Sequence, residues 1–500
     1  MTDRILLDGH SLTPATVERI ARTDVAVELS SLAGIEVKKG REVVETYLRE
    51  GIPAYGLNTG LGLRVTERLP PEKLDDFSYR MVRARAQGLG EPLPQEVVRA
   101  IIVVRLNTML SGSAGQSAWI APYLAEILNR KLIPIIPRLS SVGAADLVGM
   151  AGLAHALIGE GEMIFQNHRM GSGEALKRAG LEPLKLGPKD GQTLSNNTAF
   201  TTGQAALVAV DAHRAVKSHL AAAALALEGF RGNLSPIAEE TAALRPLPGQ
   251  VRAAADLRGL LHGSLLFTPG AARRLQDPLS FRCIAQVFGA AYWAHSSLEE
   301  TISVELNSSS DNPVVLPSKG RIVTTGNFHQ LQLALAADQM ARALGWCTTD
   351  SISRVARLMN PVFSGLPPLL SSEAAERAGF GPLMKPAEAL RAEIVHLATP
   401  VPIMPSYNAD GQEDSLSHAP LAVHKLADLL VRYELIVSFE LLAAAQAVEL
   451  AKPEKLAPRL AEVHRLVREI SPFIDEDRPL ARDIEAISDK LVRSGRLAQL

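Results

Sequence analysis

Only two cysteines, Cys283 and Cys347, occur in 500 residues, far apart and in no CxxC pair. That scarcity excludes a disulfide framework and a cysteine-built zinc site, and it makes a reducing cytoplasm the expected compartment. Charge of one sign is missing too: 52 Lys and Arg stand against 54 Asp and Glu, a net charge of -2. A chain so balanced has no general attraction to nucleic acid or to an anionic membrane. Long apolar runs are absent as well. Leu220–Leu227 is too short to span a bilayer, and Glu440 and Glu449 interrupt the stretch Ile436–Leu450. Asp3, Arg4 and Asp8 leave no room for an apolar signal-peptide core, so a protein without a membrane segment is expected. No HExxH, Walker A, GxSxG or strand-linked GxGxxG occurs, and the histidines are scattered. No metal or nucleotide is therefore expected.

Aromatic residues make up only 4%, whereas Ala and Leu abound, which favours helices over sheets. Three long stretches without internal proline predict long helices: about Thr201–Glu228, His329–Met359 and Leu421–Leu450. Each is apolar over much of its surface, so each belongs inside a bundle. Strand signals are few and short, at Arg4–Asp8, Ile133–Pro137 and Arg321–Thr324. The pattern predicts an all-α protein with a small mixed N-terminal region over 1–200. A long-helix bundle over 201–450 and a charged helical cap over 451–500 complete it.

Between the helices lie loops rich in Gly, Pro and Asn, where function concentrates on a rigid scaffold. Tyr55 sits in Ala54–Tyr–Gly–Leu–Asn–Thr–Gly–Leu–Gly62. A tyrosine there is ordinarily a half-buried anchor, but nearby cations would let it act as a base. Arg282, in Gln276–Asp–Pro–Leu–Ser–Phe–Arg–Cys283, has mostly apolar neighbours in sequence and needs a carboxylate, from the protein or from a ligand. Glu413 and Asp414 follow a loop and read as the acidic start of a helix.

At these loops the sequence resembles the aromatic amino acid ammonia-lyase family, histidine ammonia-lyase most of all. The shared stretches include Leu7–Asp–Gly–His–Ser–Leu–Thr13, Tyr55–Gly–Leu–Asn–Thr–Gly60, Ser141–Val–Gly–Ala144 and Gly159–Glu–Gly–Glu162. Further on come Lys189–Asp–Gly191, Gln276–Asp–Pro278, Asp311–Asn–Pro313, Gly326–Asn–Phe–His329, Ser364–Gly–Leu–Pro–Pro368 and Gln412–Glu–Asp414. Each is weak alone; their common order over nearly the whole chain is specific. The resemblance implies an all-α homotetramer of the ammonia-lyase and fumarase-like type, each active site shared between subunits. It places Tyr55 on the catalytic base, Arg282 on the carboxylate clamp and Asn196 beside the electrophile. Phe328 and Glu413 fall on the pocket lining.

The departures carry the functional reading. The family builds its electrophile, methylideneimidazolone, from an internal Ala-Ser-Gly. Here Val142–Gly–Ala–Ala–Asp–Leu–Val148 leaves Ala144–Ala145 before Asp146 where three residues belong. With no serine to dehydrate and no glycine nitrogen to close the ring, the cofactor is expected to be absent. Arg85 stands where histidine ammonia-lyases have a ring-binding histidine, Leu279 replaces a tyrosine and Asn197 a glycine. Lys385, in Gly381–Pro–Leu–Met–Lys–Pro386, reads as a solvated loop charge or as a cation near Tyr55.

A lyase without that electrophile needs a nitrogen that is already activated. A primary ammonium loses its N–H proton before its β C–H proton, which leaves an impossible leaving group; a trimethylammonium has no N–H and departs as neutral trimethylamine. The chain is thus similar to the ergothionase branch of the family, which splits ergothioneine into thiourocanate and trimethylamine. The expected partner is an amino acid betaine. Tyr55, Lys385 and Glu413 are the catalytic candidates, with Arg282, Asn196, Arg85 and Phe328 binding substrate. Two alternatives stand beside it: a non-catalytic homologue, or a lyase for another pre-activated amine.

Overall fold

The computed structural model describes residues 4–371 and 376–500. Helices dominate, and four of them are long: Ala199–Phe230, Ile284–Leu306, Leu331–Leu358 and Ala419–Ala451. At about 1.5 Å per residue, the longest reaches roughly 50 Å. Three match the predicted stretches to within two residues at either end. The fourth, Ile284–Leu306, carries no such signature in sequence, because the exposed polar residues Ser296, Glu299, Glu300 and Ser303 break the apolar pattern.

Contacts divide the chain into two compact units. One takes in the chain up to Val210, with Glu299–Leu335 and Val401–Val423; the other holds Asp211–Leu298, Ala336–Pro400 and His424–Leu500. The first unit is organised around the helix Gln95–Met109, whose residues from Val98 onward are all buried. A helix buried on every side must satisfy its polar groups internally. Arg99 does so by donating to the carbonyls of Ile20, Ala21 and Leu128, and Arg105 by pairing with Asp311 at 2.7 Å. The helices Leu74–Arg85, Leu147–Leu157 and Asp190–Ser195 pack against one another in the same unit.

Four small sheets complete this unit. Arg4–Leu7 pairs in parallel with Ala26–Leu29, and Arg321–Val323 pairs antiparallel with Val314–Leu316. The single strand expected over Ile133–Pro137 is two strands in different sheets, Ile133–Pro134 beside Glu162–Phe165 and Pro137–Leu139 beside Leu89–Pro92. Pro134 and Pro137 have no N–H to give, so one continuous ladder cannot form.

The second unit contains most of each long helix. Leu220–Leu227 is buried all round, as its apolar run requires. Its core also encloses charge. Arg354 donates to Glu440 at 2.5 and 2.9 Å, and His219 bridges Glu440 at 2.8 Å and the Tyr433 hydroxyl at 2.6 Å. Arg354 and two hydrogen bonds hold the Glu440 carboxyl well below its usual pKa, at about 2, against the opposing effect of burial. Among the described residues no helix is long and apolar enough to cross a membrane.

Candidate active site

A cavity of about 380 Å³ lies wholly in the first unit. It gathers Tyr55, Arg85, Ala144, Ala145, Asn196, Phe328 and Glu413, seven of the residues singled out in the sequence. The local geometry explains how stretches so distant in sequence meet. Asn58 folds the tyrosine loop, accepting from the Ala54 amide at 2.9 Å and donating to the Ile52 carbonyl at 2.8 Å. Gly56 follows with φ +65°, and a Cβ there would lie 3.2 Å from the Gln192 side chain, so glycine suits both the angle and the space. Tyr55 is thereby turned toward the cavity, half-buried, its hydroxyl accepting from the Gly62 amide at 3.4 Å.

The Ala144 loop ties the other walls together. Ala144 bridges antiparallel to His329, which brings Phe328 alongside. Gly143 has φ +82°, and a Cβ there would collide with the Ser417 hydroxyl. The Ser417 hydroxyl donates to the Gly143 carbonyl at 2.8 Å, and the His418 amide to the Val142 carbonyl at 3.1 Å. This seam delivers Glu413 to the cavity. Glu413 and Asp414 do not start a helix, as the sequence had suggested. Glu413 closes a bridge with Asn408, and the helix begins only at Ala419, so a helix-end charge does not account for it.

The two charged side chains of the wall are both short of solvent. Burial lowers the Arg85 pKa, with Tyr55 and Glu413 pulling the other way. Burial raises that of Glu413, and Arg85 opposes it. Asn196 is 7% exposed and its Oδ1 has no partner among the described residues. Asn197 is structural. Its side chain donates to the Thr193 and Leu194 carbonyls and accepts from the Ala199 amide, capping the long helix.

Asp146 belongs to the loop but does not line the cavity. It is fully buried at φ +39°, accepts from the hydroxyls of Ser141 and Thr201, and accepts from the Thr201 amide at 2.8 Å. It thus braces both ends of the turn that presents Ala144 and Ala145. Burial pushes its pKa up to about 6 despite those hydrogen bonds. A folded pKa raised from 3.8 means stability present in full below about 3.8 and lost as pH rises through about 6. Relative to Asp146→Asn, which does not titrate, the wild type should gain on the order of 2–3 kcal/mol between about pH 7 and about pH 4. Urea unfolding of both proteins across that range checks this; parallel pH curves would refute it.

Arg282 and Lys385 belong to the second unit and do not line this cavity. Arg282 ends the short helix Leu279–Arg282, half-buried. Its guanidinium makes no hydrogen bond or ion pair among the described residues and acts on Asp277 only through its field. Lys385 is exposed in the first turn of the helix Met384–Leu397, not in a loop. Leu279 is 61% exposed.

Four further polar residues of the wall, Gln192, Asn312, Thr324 and Gln412, carry no role that the sequence alone suggests. Asn312 and Gln412 lie in the shared motifs, so a signal existed; Gln192 is distinguished only by its burial. A larger cavity, about 1060 Å³, lies elsewhere in the same unit. Its charges are already matched, Arg22 to Glu96 at 3.1 Å and Lys131 to Asp24 at 2.6 Å, which leaves little for a ligand to satisfy. No group of three or more His, Cys, Asp or Glu placed to hold a metal occurs among the described residues.

Comparison with known proteins agrees with this architecture. The Aromatic amino acid lyase family model matches residues 12–469. The histidine ammonia-lyase of Anaeromyxobacter sp. (strain K) is 37% identical, covering 99% of each chain, and that of Caldanaerobacter subterraneus is 33% identical over 99% of this chain and 98% of its own. Among solved structures, ergothionase from Treponema denticola, an ergothioneine-degrading enzyme in complex with desmethyl-ergothioneine sulfonic acid, superposes with a TM-score of 0.94 at 32% identity over 100% of both chains. Histidine ammonia-lyase from Trypanosoma cruzi gives 0.92 at 29% identity, over 99% of this chain and 94% of its own. By family model, sequence and fold together, this chain is a member of the aromatic amino acid lyase family.

Proposed function

We propose that this protein is a carbon-nitrogen lyase that works without methylideneimidazolone and eliminates trimethylamine from an aromatic amino acid betaine, ergothioneine above all. One observation carries the reading: the cavity sets the Tyr55 phenol and the Glu413 carboxylate around a turn whose side chains, Ala144 and Ala145, are methyl groups. The residues present do not fit the electrophile of the family. No hydroxyl stands between Gly143 and Asp146, and the nearby Ser141 hydroxyl is bound to Asp146 and outside the cavity lining. The leaving nitrogen must then arrive activated, and a quaternary ammonium does.

In the reaction, the Tyr55 phenolate takes a proton from the β-carbon. The C–H pair becomes the new C=C bond, the Cα–N bond breaks, and its electron pair leaves on trimethylamine. The proton passes from the Tyr55 phenol to solvent, so substrate gives alkene, amine and one proton. Glu413 faces the trimethylammonium together with the Phe328 ring, a carboxylate and an aromatic surface being what a quaternary ammonium favours. Asn196 offers its unpaired carbonyl oxygen at the same wall. Arg282, which lacks a carboxylate partner, holds the substrate carboxylate from a neighbouring copy of the chain, and Lys385 approaches from a neighbour in the same way.

That arrangement needs a homotetramer with shared sites. Outward apolar side chains on the long helices, Trp293 and Val304 on one, Leu335 and Trp346 on another, favour such an assembly. Two free cysteines fit a reducing cytoplasm. The test is direct. Incubation with ergothioneine should release trimethylamine and build the absorbance of a conjugated thiourocanate. Ammonia from plain histidine, or an intact mass short by two waters, would overturn the reading.

A further inference from the structure

The second unit holds a cavity of about 430 Å³ that the lyase reading does not use. Its size is that of a small-molecule site. Glu228 lines it from the last turn of the helix Ala199–Phe230, and the end of the helix Ala419–Ala451 lines it as well. Glu228 is out of place there on two counts. The C-terminal end of a helix carries partial negative charge and disfavours a carboxylate, and here two such ends border one cavity. Glu228 is also only 2% exposed, yet among the described residues no cation pairs with it. Its donors are neutral, the Ser264 hydroxyl and, at 3.5 Å, the Ala457 amide, and burial raises its pKa against them. A buried carboxylate so placed is complemented by a cation entering from the cavity.

The rim selects which cation. Arg231, Lys452 and Lys455 are exposed there against Glu454 alone, and neither lysine makes an ion pair among the described residues. A bare amine would meet that excess positive charge on its way in. A molecule with an ammonium at one end and a carboxylate at the other is matched at both. Leu265, Leu266 and Ala271 give the cavity an apolar side. We propose that this cavity binds a free amino acid with an apolar side chain, its ammonium on Glu228 and its carboxylate toward Lys452 and Lys455. The site shares no residue with the cavity of the first unit, and the inference does not depend on the lyase reading.

The experiment titrates the full chain by calorimetry with three probes of one carbon skeleton. They are L-leucine, isoamylamine, which lacks the carboxylate, and isocaproate, which lacks the ammonium. L-leucine should bind, and each of the other two more weakly by about tenfold or more, the loss of a charge-assisted bond. Glu228→Gln should weaken L-leucine on the order of 10- to 100-fold for the same reason. The double variant Lys452→Ala with Lys455→Ala changes only exposed side chains, so it should fold normally. It should bind L-leucine more weakly while holding isoamylamine as well as the wild type does. No heat from the wild type with L-leucine overturns the inference, as does binding that survives Glu228→Gln unchanged. Should Glu228→Gln fail to fold, the lysine variant decides: an undiminished affinity for L-leucine there overturns the inference equally.

Discussion

Replacing Tyr55 by phenylalanine is expected to lower turnover of ergothioneine roughly 10²- to 10⁴-fold, the range for loss of a positioned acid or base. The change deletes one oxygen and keeps the ring, so the loop held by Asn58 and Gly56 has no reason to move. The hydroxyl accepts only a 3.4 Å bond from the Gly62 amide, and its removal should barely alter stability. The effect should fall on kcat, with KM little changed, because the phenol acts on the β proton in the transition state and adds little to ground-state binding. Steady-state kinetics with trimethylamine detection measures this. A loss of less than about threefold would be far below what a base supplies, and the proton would need another acceptor.

Much of this was legible in the sequence, for identifiable reasons. Long helices announce themselves where much of the circumference is apolar, all of it at Leu220–Leu227, and the three that do so were placed within two residues. Ile284–Leu306 did not, because Ser296, Glu299, Glu300 and Ser303 interrupt its apolar residues. Seven cavity residues were legible through motif order and through departures from it, since most lie on short loops rich in turn formers, while Arg85, which ends a helix, stood out as a departure. The pairing of Ala144 with His329 and of Val142 with His418 was not, because such seams depend on partners far apart in sequence. Gln192 was missed for a related reason: nothing near it in sequence marks a glutamine that holds a distant loop. Its amide donates to the Asn312 carbonyl at 2.7 Å.

That loop is where the largest stability effect is expected. Asp311→Ala should destabilise the protein by about 3–5 kcal/mol, the cost of leaving a buried charge unpaired. Arg105 is 0% exposed and Asp311 2%, joined by two hydrogen bonds, and the same guanidinium also donates to the Thr193 carbonyl. The Arg105 Nε has no partner among the described residues, so once Asp311 is gone only neutral acceptors, the Thr193 carbonyl and the Thr108 hydroxyl, serve the guanidinium. Lys189 adds to the strain. Burial brings its pKa down to about 8, with Asp311 the main opposing charge, while its ammonium donates to the Ala114 and Pro313 carbonyls at 2.6 and 3.3 Å. Without Asp311 two buried cations face each other across the segment that presents Asn312 to the cavity, so activity should fall along with stability. A drop in the urea midpoint measures the first effect. The double variant Arg105→Met with Asp311→Leu separates pairing from shape: it should be more stable than Asp311→Ala alone, because neither charge is then left buried without its partner. If Asp311→Ala costs less than about 1 kcal/mol, within the range of an ordinary surface ion pair, the buried pair is not what fixes this wall.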